Sequence, residues 1–79
     1  MMTLAGYKIR CFRTDRPRKL SRDELGRMIG VPRSTITGWE IEGKRAKPDL
    51  MNELARREIC SHADWYEPAP VEEPALARR

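Results

Sequence analysis

The sequence predicts a small all-α domain followed by a tail without fixed structure. Three observations lead there. The chain has 79 residues, which bounds it to one domain. Its larger apolar side chains recur at spacings of three and four in several short stretches. Those stretches are separated by helix starts and stops: a Ser-x-x-Glu box, glycines and prolines. A core of this size is marginally stable and leaves no room for the large pocket that most cofactor enzymes need.

Leu4, Tyr7, Cys11 and Phe12 fall at helical spacing and form the apolar stripe of a first helix over residues 3–14. Lys8, Arg10 and Arg13 lie on its other face. Asp15-Arg16-Pro17-Arg18-Lys19 breaks the pattern. Proline disfavours helix at the residue before it, and the run is charged, so an exposed basic loop is expected. Ser21-Arg22-Asp23-Glu24 is a capping box, with Leu20 and Leu25 placed for a hydrophobic staple. The second helix carries Leu25, Met28 and Ile29 and stops at Gly30, which offers a left-handed end.

Pro32 suits the first turn of a third helix. Ile36 and Trp39 share its inward face, and so does Glu40, a carboxylate that needs a partner there. Arg33, Ser34, Thr37 and Gly38 lie opposite, and the helix should end near residues 41–43. Lys44-Arg45-Ala46-Lys47 is a basic connection. Pro48 and Asp49 open a fourth helix with Leu50, Met51, Leu54 and Ala55 as its buried stripe. Ser61 to Trp65 should add one last turn, with Trp65 packing inward. From Glu67 onward the sequence is EPAPVEEPALARR, rich in proline and glutamate and poor in large apolar residues. That composition predicts disorder, so the expected division is a domain over residues 1–66 and a Pro/Glu-rich tail over residues 67–79.

Charge is unevenly spread. Residues 1–48 hold 12 basic and 5 acidic side chains, net +7, and residues 49–79 hold 4 basic and 7 acidic, net −3. A positive body with an acidic tail points to a polyanion partner for the body. No apolar run is long enough to span a membrane, and the start is too short for a signal peptide, so a cytoplasmic protein is expected. Cys11, Cys60 and His62 lack the paired spacing of a zinc site, and no catalytic pair stands out. The expectation is a non-enzyme without metal or cofactor, whose two cysteines are small buried apolar residues in a reducing compartment.

The pair of short helices joined at Gly30 makes a helix-turn-helix pattern. Gly26 is small where the helices cross, and Val31, Ile36 and Trp39 lock the angle between them. The outer edge of the second helix is left free for a DNA major groove, which admits one helix. LSRDELGRMIGVPRSTITGWE resembles the helix-turn-helix of the lambda-repressor-like, Cro-type regulators, the XRE family. GKRAKP and the later ELA…SHADW resemble the rest of that five-helix domain, so the likeness covers about residues 4–66.

The resemblance implies roles. Arg33, Ser34, Thr37 and Gly38 stand where such proteins read bases, Gly38 by close approach only. Arg22, Thr35, Lys44, Arg45 and Lys47 stand where they contact DNA phosphates. An ion pair between Arg13 and Glu40 is implied between the first and third helices. Departures from the family pattern are Gly26 for the usual alanine, a longer loop at 14–19, one extra residue in Glu40-Ile41-Glu42-Gly43, and no glycine after the fourth helix. The resulting expectation is a sequence-specific transcriptional regulator, a repressor, binding double-stranded DNA as a homodimer on an inverted repeat. Its dimer surface is expected within Ile59 to Tyr66, with Tyr66 as the contact. Two other functions fit the same pattern: an antitoxin-like DNA-binding protein whose tail also binds a protein partner, and a recombination or architectural accessory protein.

Overall fold

A computed structural model of the chain describes residues 2–15 and 17–70. Four α-helices follow one another: α1 (Leu4–Thr14), α2 (Arg22–Ile29), α3 (Arg33–Ile41) and α4 (Pro48–Arg56). The expected fifth helix is a single 3-10 turn, Ala63–Tyr66. Its cause is local. The Asp64 carboxylate accepts from the Ser61 amide at 2.8 Å, and the amides of Asp64, Trp65 and Glu67 each reach back three residues. Bonds of that reach give a tight turn and no longer helix.

Thr3 caps α1 by accepting from the Gly6 amide at 2.9 Å. The buried face of α1 is Ala5, Gly6 and Ile9, with Phe12 packed at its edge. Leu4 and Tyr7 are half-buried and Cys11 is exposed, so the expected stripe is rotated. The reason is steric. α1 crosses α3 so closely that a methyl group on Gly6 would run into the Trp39 carbonyl. Only small residues fit at that crossing. Cys11 is therefore not the buried residue expected of it, whereas Cys60 is buried.

The loop after α1 folds back on the helix. The Arg18 guanidinium lies 3.9 Å over the Phe12 ring and donates to the Phe12 carbonyl at 2.9 Å. α2 starts with both halves of the capping box: the Glu24 amide donates to the Ser21 hydroxyl at 3.0 Å, and the Ser21 amide to the Glu24 carboxylate at 2.7 Å. It ends at Gly30, whose φ of 84° requires glycine's freedom. The amides of Gly30 and Val31 both donate to the Gly26 carbonyl, at 2.7 and 2.8 Å. A methyl group on Gly26 would meet the Val31 carbonyl oxygen. Gly26 is small for the sake of this turn rather than for a helix crossing.

Ile9, Leu25, Ile36, Leu54 and Trp65 are fully buried and form the centre of the core. Trp39 and Trp65 meet edge to face, with ring centroids 5.6 Å apart and planes at 76°. From α4, Met51 and Leu54 are buried while Leu50 and Ala55 are half-buried. Where the family's glycine is missing, Glu58 takes the left-handed backbone with φ 61°. The ends of the described chain are clasped. The Leu4 amide donates to the Glu67 carbonyl at 2.7 Å, and the Ala69 amide to the Met2 carbonyl at 3.0 Å. Residues 67–69 thus lie against the start of the chain, and residues 71–79 of the expected tail fall outside the described residues. Among the described residues no helix is long and apolar enough to cross a membrane.

Candidate nucleic-acid interface

α3 is held from behind. Ile36 and Trp39 pack into the core, and Glu40 beside them is fully buried. Arg13 meets the Glu40 carboxylate fork to fork: Nε donates to Oε2 and Nη2 to Oε1, both at 2.9 Å. Its third nitrogen, Nη1, donates to the Leu20 carbonyl at 3.1 Å. Arg22 Nε donates to Glu40 Oε1 at 3.2 Å. A buried charge of this kind persists only with such partners. One carboxylate therefore joins α1, the start of α2 and α3, and Arg13 ties in the loop before α2. The structure brings Arg13 and Glu40 together, and it places Arg22 on the same carboxylate. Arg22's second, inward role has no signal in the motif. Arg13, Ser21, Arg22, Asp23 and Arg33 line a cleft of about 370 Å³ between α2 and α3.

The other side of α3 carries no core residue. Arg33 and Ser34 are exposed, and Thr37 is half-buried with its hydroxyl donating to the Arg33 carbonyl at 3.2 Å. Ile41, one turn beyond Thr37, is also exposed. The sequence reading passed over it, although its four-residue offset from Thr37 marks the same edge. Pro32 stands just before the helix as its cap residue, not within the first turn, and Thr35 is half-buried behind it.

Gly38, expected to contribute by close approach, has a side-chain neighbour of its own. It is buried, and the stem of Lys44 covers it, with Cδ 3.1 Å from where a β-carbon would stand. The Lys44 ammonium lies 3.1 Å from Glu42 Oε1. Gly43, with φ 74°, turns the chain, and the amides of Glu42 and Lys44 both donate to the Gly38 carbonyl at 3.1 Å. That closure is one residue wider than the common glycine-ended one, which is how the extra residue is absorbed.

Arg45, exposed after α3, also reaches toward the 3-10 turn. Its Nε donates to the Trp65 carbonyl at 3.2 Å, and its guanidinium lies 4.8 Å over the Tyr66 ring. A carbonyl acceptor and an aromatic face together outbid solvent for a guanidinium. Lys47 is exposed at the start of α4. Ser34, Thr35, Gly38, Lys44 and Lys47 share the lining of a groove of about 510 Å³ between α3 and the connection to α4.

The run from Ile59 to Tyr66 is divided. Ile59, Cys60, Asp64 and Trp65 are buried, while Ser61, His62, Ala63 and Tyr66 are exposed, Tyr66 at 65%. Burial, with the neighbouring Asp64 charge, pushes the Cys60 thiol up to about 12. Asp64 itself, also buried, was not singled out from sequence. Burial raises its carboxyl, but the Ser61 amide and the Lys8 ammonium at 3.0 Å outweigh that and hold it below the usual range.

The sequence profile of the helix-turn-helix family matches residues 12–57, more than half of the chain. The chain belongs to that family. It is a family of DNA-binding domains of the lambda-repressor-like, XRE kind. The matched span of this helix-turn-helix protein runs from Phe12 through α2, α3 and α4 and includes Arg13 and Glu40. No curated protein and no solved structure matches the chain.

Proposed function

We propose that this helix-turn-helix protein is a sequence-specific transcriptional repressor that inserts α3 into the major groove of an inverted-repeat operator. The observation that carries the reading is the two-sidedness of α3. Its inner side is locked by Ile36, Trp39 and the Glu40 charge cluster, and its outer edge of Arg33, Ser34, Thr37 and Ile41 is left unpacked. Arg33 pairs with guanine, Ser34 and Thr37 contact neighbouring base edges, and Ile41 suits a thymine methyl. Thr35, Lys47 and the solvent side of Arg22 take phosphates, which fix the register without reading sequence. Tyr66 is the residue this reading gives to a second copy of the chain, so that two half-sites lie about one helical turn apart. The place of action is the nucleoid.

Selection of bound sites from a random DNA pool tests this. The expected product is an inverted repeat. Arg33→Ala should relax preference at one base pair per half-site, while Lys47→Ala should weaken all sequences alike and flatten the salt dependence. Equal effects of both substitutions on every sequence would overturn the assignment of roles.

A further inference from the structure

We infer that Lys44, from the connection after α3, reads a base pair in place of the side chain that Gly38 lacks. The inference rests on the DNA-binding reading above and names a specificity residue within it. Position 38 follows Thr37 and lies one turn after Ser34. A helix that sets Ser34 and Thr37 against bases carries position 38 toward the same groove. A bare backbone there would leave one base pair unread.

The structure fills that gap from outside the helix. The Lys44 stem lies along Gly38, with Cδ at 3.1 Å and Cβ and Cγ at 3.8 Å from the β-carbon position. The lysine is fixed at its root as well, because its amide donates to the Gly38 carbonyl at 3.1 Å. The stem thus covers the Gly38 position of α3, in the groove that Ser34 also lines. The Lys44 side chain is 71% exposed, and its ammonium rests on Glu42, whose side chain is 52% exposed. Exposed pairs of this kind hold weakly, so a stronger acceptor can take the ammonium from Glu42. Guanine is the base that offers two acceptors, O6 and N7, on its major-groove edge. Gly38 is therefore the slot and Lys44 the reader, and a larger residue at 38 would push the reader aside.

The test uses the full chain and selection from a random pool, followed by binding measurements on the selected site. Wild type should select guanine at one position of each half-site in addition to the one read by Arg33. Lys44→Met keeps the stem and removes the charge. It should lose that preference alone, binding the selected site about tenfold more weakly while binding a site altered at that base pair as well as wild type does. Gly38→Leu, whose side chain takes the space of the Lys44 stem, should lose the same preference with the helical circular dichroism intact. A Lys44→Met chain that keeps the wild-type consensus and weakens on all sequences alike overturns the inference. So does a Gly38→Leu chain that keeps the preference. A wild-type chain that selects no consensus removes the DNA-reading proposal itself, and this one with it.

Discussion

Replacing Arg13 with methionine keeps most of the stem and strips Glu40 of its fork-to-fork partner. Glu40 is fully buried, and Arg13 supplies two of its hydrogen bonds at 2.9 Å. Removing one member of a buried ion pair costs about 3–5 kcal/mol, mostly because the other charge is stranded. Arg22 remains within 3.2 Å of the same carboxylate, so the loss should fall at the low end, about 3 kcal/mol. In a domain of this size that lowers the melting temperature by roughly 12–24 °C. Arg22→Met removes a single, longer bond from a side chain that is 27% exposed, and should cost about 1 kcal/mol. The double change Arg13→Met with Glu40→Met replaces the pair with apolar groups and should recover most of the loss. Thermal unfolding followed by circular dichroism at neutral pH reads all four chains. An unchanged melting temperature in Arg13→Met, or an Arg22→Met chain that loses as much, would refute the reasoning.

Gly26→Ala should destabilise by about 1–3 kcal/mol despite alanine's better helix propensity, because its methyl meets the rigid Val31 carbonyl; a higher melting temperature would count against the turn geometry. Glu58→Gly should stabilise by about 0.5–1 kcal/mol, since it relieves a left-handed residue at φ 61° and loses part of that gain to greater freedom in the unfolded chain. A native-state maleimide titration should label Cys11 alone, with Cys60 reacting only in denaturant; prompt double labelling would contradict the burial of Cys60. Asp64 sits below its unfolded value when folded, so it stabilises above about pH 4 and that stability drains away as pH falls through its folded pKa. Asp64→Asn should therefore lose stability at neutral pH, with the gap to wild type closing in acid, and a gap that widens in acid would reverse the sign.

What the sequence made legible was local or periodic. Ser21 and Glu24 are three residues apart, Gly30 ends its own helix, and Ile36 and Trp39 share a face, so each could be read without knowing the fold. The face of α1 could not. Leu4, Tyr7 and Cys11 offered a plausible stripe of larger side chains, but the close crossing with the Trp39 carbonyl selected Ala5, Gly6 and Ile9 instead. Size at that crossing is set by α3, which lies about thirty residues away in the chain. The ends of the long cations were illegible for a related reason. Sequence locates the root of Arg22, Lys44 or Arg45 but not its tip, and in the folded chain those tips rest on Glu40, on Glu42 and on the Trp65 carbonyl. The fate of the missing glycine was also invisible, because nothing in RREICSH announces that Glu58 would accept the left-handed backbone.

The pairing of Met2 and Leu4 with Ala69 and Glu67 makes the described backbone nearly a loop closed on itself. Any tag, fluorophore or second domain joined ahead of residue 2 would emerge beside one joined after residue 69. The described residues thus have a single attachment pole, and two modules joined directly at residues 2 and 69 would find themselves neighbours.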